Sequence, residues 1–504
     1  MSRVAFACLM ALALAIALAF RLAAPDLRPM HHDEANQAVK FGALLETGDY
    51  QYDRADHHGP TLYYLTLPAA WARGQLTLAS LDEQTLRVVP AVFGAALILL
   101  LPGLAVGLGR GAMAASALLI ALSPVLTYYS RFYIQESLLV FFTVGFLITL
   151  GRYVQRPGMA MACWAGVGAG LAYATKETSV IVLPAAVAAA VVARRATRGP
   201  GAGARLRVTH LAAGSGAALA IAFLFYSSFL RHPSGLLDSI RAFSTYVGRG
   251  VAAGSHTEPW DYYLRMLFFS SSGGLVWTEG LVVALALVGL VVVCRPSVGF
   301  WPKYVALYSV VTAVAFSLIR YKTPWNALPF YIGFVLLAGQ GAAALVGRPR
   351  SRLVRGLAAV VLLAGAWHLG VQDWRANFRY PADPRNPYVY VQTSPDFLRL
   401  VRRIADVAAV HPDKHRMLVK VVAGPYEQWP LPWYLRRMTQ IGYWSRAAEA
   451  GRLDDVPVII ASQENTGAVS AAVGDNHVSE FYGLRPDVLL TVYIDRTLWS
   501  HFLK

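Results

Sequence analysis

The sequence predicts an α-helical polytopic membrane bundle of about eleven transmembrane helices, followed by a small C-terminal α/β domain outside the membrane. Three observations carry this expectation. Of the 504 residues, 56% are hydrophobic and 15% charged, with a mean hydropathy of +0.44, far from an ordinary soluble domain. Apolar runs recur from the N-terminus to residue 371, separated by short turns, many of them basic. After Trp374 the runs shorten, and from residue 372 onward 16 Lys or Arg stand against 14 Asp or Glu. The expected division is therefore 1–371 for the bundle, with a large first external loop at 25–87, and 372–504 for the α/β domain.

Residues 4–20 are apolar behind Met1-Ser2-Arg3, and Leu22-Ala23-Ala24 imitates a signal-peptidase site. Read as an uncleaved anchor or as a signal peptide, the segment sends the next loop outside. Further spans are expected at 88–108, 113–129, 137–151, 162–174, 179–193, 209–229, 273–293, 303–319, 330–347 and 355–371. The turns this alternation leaves in the cytoplasm carry Arg110, Arg152, Arg156, Arg194, Arg195, Arg198, Arg205, Arg207, Arg295, Lys303, Arg348, Arg350, Arg352 and Arg355, with no Asp or Glu. That pattern accounts for much of the formal charge of +16. Nucleic-acid binding is excluded, because no aromatic-basic platform accompanies the charge. Cys8, Cys163 and Cys294 lie in or beside apolar segments and form no disulfide framework or CxxC site.

Carboxylates gather on the opposite face, apart from Glu279, which falls near the outer end of the expected span 273–293. The first loop is the densest, with Asp33-Glu34, the pairs His31-His32 and His57-His58, and several Tyr including Tyr63. Four more clusters reach that face: residues 128–137 with Arg131 and Glu136, 175–178 with Lys176, 256–263 with His256 and Glu258, and 320–326 with Arg320 and Lys322. A site built from several loops pinned by rigid spans is physically sound. In the tail, 417–422, 456–460 and 488–493 read as strands, and 395–410 has helical spacing.

Asp33-Glu34, Gly48-Asp49-Tyr50, His58-Gly59-Pro60 before Leu62-Tyr63-Tyr64, Ser130-Arg131 with Glu136-Ser137, and Thr175-Lys176 after a Gly-rich run together resemble the GT-C superfamily of membrane glycosyltransferases. The nearest likeness is to its protein O-mannosyltransferase, aminoarabinose transferase and flippase-activity-associated branches. The resemblance implies inverting transfer of a sugar from a polyprenyl-phosphate donor to a lipid, glycan or protein acceptor, at the extracytoplasmic face of an inner membrane. It implies Asp33 as the acid that orients or deprotonates the acceptor, supported by Glu34 or Glu136. Arg131, Lys176, His57, His58, Arg320 and Lys322 become candidate donor phosphate or sugar ligands, and Tyr63, His256 and Glu258 candidate acceptor or loop contacts. Two positions depart from the pattern. His58 stands where aminoarabinose relatives often carry Lys, and would be cationic only if its pKa is raised. Glu136 stands where the family usually has Asp.

Each residue also has a structural alternative. Asp33 and Glu34 can cap the first external helix; Glu136 can pair with Arg131; Lys176 can snorkel; Arg320 and Lys322 can anchor a span end. No metal is assigned, but resemblance to metal-dependent oligosaccharyltransferases keeps His31 and His32, with Asp33 and Glu136, as possible ligands of a divalent ion. Trp429, Trp433, Tyr434 and Trp444 form either a small core or a sugar-stacking face. The alternative function is a lipid-linked sugar flippase or transporter, or its non-catalytic assembly factor. Transporters place ionisable groups near mid-membrane, whereas here they collect at one interface.

Overall fold

The computed structural model describes residues 1–54, 58–198, 207–251, 256–347, 349 and 351–504. His57, Arg205, Arg348 and Arg350 lie outside the described residues. Helices cover every expected apolar segment. They are Arg3–Leu22, Glu83–Leu100 continued by Pro102–Leu108, Arg110–Leu122 continued by Pro124–Ser130, Glu136–Gln155, Met159–Tyr173, Ser179–Arg198, Val208–Tyr226, Gly280–Val293, Phe300–Leu318, Leu328–Gly347 and Arg352–Trp374.

Among the described residues, seven helical stretches are long and apolar enough to cross a membrane, or eight if the pair bent by 59° at residue 123 is one span. The helices Met159–Tyr173 and Gly280–Val293 are shorter. Each of the eleven expected segments contains a helix, but among the described residues length and apolarity support only seven or eight spans. The breaks follow the prolines: Pro102 and Pro124 lack an N–H and each opens a new helix, the second capped by Ser123 Oγ accepting from Leu126 N at 3.3 Å. A second difference concerns residues 273–279. Ser270–Ser272 and Leu275–Trp277 form a hairpin, and Glu279 flanks the helix Gly280–Val293 instead of lying within a span. Small residues seat this helix: a Cβ on Gly341 would meet the Leu285 carbonyl oxygen at 2.1 Å.

The tail contains a five-stranded sheet in the order 441–444, 419–422, 458–462, 488–495, 477–485. The first three strands are parallel and the last two antiparallel. Val458–Ser462 is buried along its whole length, as a central strand covered on both faces must be. The helices Phe397–Val410, Gln463–Val473 and Arg496–Phe502 pack against the sheet. The expected strands near 417–422, 456–460 and 488–493 and the helix 395–410 are present; Ile441–Trp444 and His477–Arg485 are additional.

The tail is docked on the first loop. Trp433 is buried against it, donating Nε1–H to Glu83 at 2.9 Å, with the Arg436 guanidinium 3.7 Å over its ring and donating to the Leu81 carbonyl at 2.6 Å. Trp433 and Tyr434 thus belong to an interdomain contact, while Trp444 lies beside Lys420 within the sheet.

Candidate active site

The site begins at the start of the helix His32–Thr47. His31 is its N-cap: Nδ1 accepts from Asp33 N at 3.1 Å, and Glu34 returns the bond by accepting from His31 N at 3.0 Å. Because Nδ1 is an acceptor, the ring proton sits on Nε2 and is donated to the Tyr390 carbonyl at 3.0 Å. Burial lowers the His31 pKa, against the pull of Asp33 and Glu34, and keeps the ring neutral. Both nitrogens are occupied, which removes His31 as a metal ligand. His32 stacks with Tyr426 and meets Trp429 at a tilt of 53°, at ring-centroid distances of 6.2 and 5.9 Å. Among the described residues, no group of three or more His, Cys, Asp or Glu is placed to hold a metal ion.

The acid pair splits. Glu34 is fully buried; Oε1 accepts from Arg87 Nε at 2.7 Å and Tyr133 N at 2.9 Å, and Oε2 from Arg87 Nη2 at 2.8 Å, with Arg28 at 3.6 Å. Burial raises its pKa, but Arg87 and Arg28 outweigh that and bring it down to about 2. Asp33, one residue earlier, keeps a side chain 40% exposed. Burial pushes its pKa up, and His31, His32, His58 and Lys176 together hold it below the ordinary 3.8. A reachable, ionised carboxylate therefore shares one electrostatic field with Lys176 and His58.

Lys176, buried, forms an ion pair with Glu136, the first residue of the helix Glu136–Gln155. The second Glu136 oxygen is buried without a hydrogen-bond partner among the described residues. His58 Nδ1 lies 2.8 Å from Glu177 Oε2, with the His58 side chain 31% exposed. Burial raises the Glu177 pKa, and His58 and Lys176 pull it below the carboxylate norm. The two loops are locked together: Thr61 Oγ1 donates to Thr175 Oγ1 at 2.8 Å, and Gly59 packs so closely that an added Cβ would meet the Ala174 carbonyl oxygen at 2.1 Å.

Other residues take different work. The Arg131 guanidinium donates to the carbonyls of Phe20 at 2.7 Å, Ala23 at 2.6 Å and Ala24 at 2.8 Å, closing the C-terminal end of the first helix instead of presenting itself to a phosphate. Its expected pairing with Glu136 is replaced by that of Lys176. Tyr63 is buried and bonded to Gln37, not placed on a surface. Lys322, buried, donates to the Glu258 carbonyl at 3.1 Å and to the Ile319 carbonyl. Arg320, Lys322, Glu258 and Trp260 line a cavity of about 330 Å³. His256 is bonded to the Tyr390 hydroxyl, and both feel the charge of Asp33.

Several contributors carry little or no signal in the sequence. Arg87 and Arg28 read as ordinary loop bases, Glu177 as a neighbour of Lys176, and Tyr390 and Tyr426 as tail aromatics. Arg87 alone leaves a trace, as a base at the head of an apolar run.

Residues 66–226 match the family model described as dolichyl-phosphate-mannose-protein mannosyltransferase. Comparison with curated proteins gives no match. Among solved structures, ArnT from Cupriavidus metallidurans bound to undecaprenyl phosphate is similar at 15% identity and a TM-score of 0.65, over 97% of this chain and 98% of that one. The oligosaccharyltransferase AglB from Archaeoglobus fulgidus, with an inhibitory peptide and a dolichol-phosphate, follows at 12% identity and a TM-score of 0.62, over 98% and 77%. A complex of the Archaeoglobus fulgidus oligosaccharyltransferase with Zn and sulfate matches at 12% identity and a TM-score of 0.57, over 98% and 76%. The family match spans under a third of the chain, and the structural likenesses show that the whole chain shares the fold of these proteins.

Proposed function

We propose that the chain transfers a sugar from a polyprenyl-phosphate donor to an acceptor hydroxyl, with inversion, at the extracytoplasmic face of an inner membrane. Asp33 is the base in this reading. As the hydroxyl oxygen attacks the anomeric carbon, its proton passes to the Asp33 carboxylate, and the bond from that carbon to the phosphate oxygen breaks on the opposite side. The departing phosphate carries its own negative charge and needs cations more than a proton. Lys176, steadied by Glu136, stands in the field of Asp33 and supplies that side, with His58, bonded to Glu177, as a hydrogen-bonding group beside it and Arg320 and Lys322 as a second cationic edge. Glu34 is a positioning residue, fixing the turn that presents Asp33.

One observation supports this most: of two adjacent carboxylates, Glu34 is consumed by Arg87 while Asp33 stays reachable and ionised beside cations. The likeness to proteins solved with undecaprenyl phosphate and dolichol-phosphate supports the donor class. A transporter reading loses support because Glu279 is tied by Val125 N at 2.7 Å, Ser123 Oγ at 2.9 Å and the Tyr331 hydroxyl, and Asp373 by Thr127 at 3.0 Å and Asn377 at 2.6 Å. These are structural knots, not stations on a path.

The test is release of radiolabelled sugar from a polyprenyl-phosphate sugar by purified wild type and Asp33→Asn in detergent, with and without EDTA. Loss of turnover with retained lipid binding supports the base. Equal rates in the two proteins refute it, and sensitivity to EDTA brings a divalent metal into the reaction.

A further inference from the structure

Tyr426 is 75% exposed, although it carries a large aromatic ring close to the proposed base. Its loop is braced. Glu427 N and Gln428 N both donate to the Gly424 carbonyl at 3.0 Å, and Arg485 Nη2, at the end of the strand 477–485, donates to the Tyr426 carbonyl at 2.8 Å. The ring lies nearly parallel to His32, with 28° between planes, and Trp429 makes a tilted contact with the same imidazole at 5.9 Å. His32 directly precedes Asp33, so this aromatic group borders the reaction centre and is built from both halves of the molecule.

We infer that Tyr426, with His32 and Trp429, is the docking platform for a saccharide acceptor, one sugar unit away from the hydroxyl that Asp33 activates. The inference rests on the reading of Asp33 as the base. Its chemistry follows from the platform. A sugar ring offers an apolar C–H face to an aromatic ring and a rim of hydroxyls at its edge. Here half-buried Glu427 and Gln428 follow the exposed ring in the chain, and Asp33 interacts electrostatically with the His32 on which the ring stacks. A lipid chain needs a continuous apolar groove, and a peptide side chain an enclosing pocket; neither matches a single exposed ring with polar edges. Tyr426 is therefore a specificity residue for the acceptor, set on the C-terminal domain while the donor cations sit on the bundle.

The experiment uses the full chain in detergent, with cellobiose, maltose and N,N′-diacetylchitobiose as soluble probes read by saturation-transfer NMR. A serine-containing peptide is the competing probe, and donor breakdown by wild type is measured in parallel. The expected result is binding of at least one disaccharide by wild type, weakened about tenfold in Tyr426→Ala, the size of an aromatic stacking contribution, and restored in Tyr426→Trp. Binding that is unchanged in Tyr426→Ala overturns the platform, as does wild type binding the peptide and no disaccharide. Wild type that breaks down donor but binds no disaccharide also overturns the platform and leaves the base reading standing. Disaccharide binding that depends on Tyr426, without donor breakdown, does the reverse.

Discussion

Glu34→Gln and Asp33→Asn, adjacent and chemically alike, should separate stability from chemistry. In Glu34, each carboxylate oxygen accepts from two donors: Oε1 from Arg87 Nε and Tyr133 N, Oε2 from Arg87 Nη2 and His31 N. An amide must turn its NH₂ toward one of these pairs, donors against donors, and leaves Arg87 and Arg28 as buried cations without a counter-charge. Breaking a buried pair in this way costs about 3–5 kcal/mol. The carboxyl's shift from 4.5 to about 2 gives a similar size, about 3 kcal/mol at neutral pH. The folded-state pKa is depressed, so this stability is fully present above 4.5 and is lost as pH falls toward 2. At about 2.1 cal/mol/K of unfolding entropy per residue, 504 residues carry roughly 1 kcal/mol/K, so the melting temperature should drop by about 3–5 °C. Asp33→Asn, at a side chain 40% exposed, should melt within about 1 °C of wild type, as surface substitutions do, yet abolish sugar transfer. Thermal unfolding of both variants in one detergent, beside sugar release, decides the matter. Glu34→Gln melting with wild type, or Asp33→Asn melting as low as Glu34→Gln, would refute this division of labour.

Gly59→Ala drives a Cβ to 2.1 Å from a backbone oxygen, so the His58 loop must shift off residue 174; turnover should fall at least tenfold, with about 1–3 kcal/mol of stability lost, measured by sugar release and melting. The limb of the pH profile that Asp33 governs should lie below pH 3.8, since Asp33 is held below 3.8 and must be ionised to act; a limb due to this base rising near pH 6 would contradict that assignment. Thr393→Val combined with Gln392→Ala removes two hydrogen bonds to residues 29–30, of 2.8 Å each, and should lower kcat with little change in the affinity for donor lipid; unchanged kcat would show that the tail does not hold the base in place.

What the sequence disclosed follows the range of the forces involved. Apolar runs and basic turns report local burial and topology, so the long apolar helices of the bundle were legible, while the more polar Gly235–Val251 and the short Thr61–Ala72 and Tyr262–Phe268 were not. The hairpin at 270–277 was not, because Leu275, Val276 and Trp277 continue the apolar run of the helix behind them and hide its start. In the tail, Ile441–Trp444 is a half-buried edge strand of four residues, too short for its pattern to stand out. His477–Arg485 runs through Ser479, Glu480 and Gly483, polar or small residues that break an apolar reading. At the site, Asp33, Lys176 and His58 are candidates the sequence offers because they are ionisable groups on the expected face. Arg131 was misread for the same reason: charge and position cannot reveal that nearby helix-end carbonyls consume the guanidinium.

The largest gap lies where the tail meets the first loop, and geometry explains its importance. Tyr434 Oη accepts from Met30 N at 2.9 Å, Thr393 donates to the Met30 carbonyl at 2.8 Å, Gln392 to the Pro29 carbonyl at 2.8 Å, and His31 to the Tyr390 carbonyl. These four bonds converge on residues 29–31, the turn immediately before Asp33, and join positions some 360 to 400 residues apart in the chain. A carboxylate on the first turn of a helix is only as well placed as its cap, and a half-ångström error in a base is costly to rate. The bundle fixes Glu34 from one side through Arg87, and the tail fixes His31 from the other. Asp33 is thus held between two elements that no local pattern connects, so the tail forms part of the frame of the proposed active site and cannot be treated as an appendage to it.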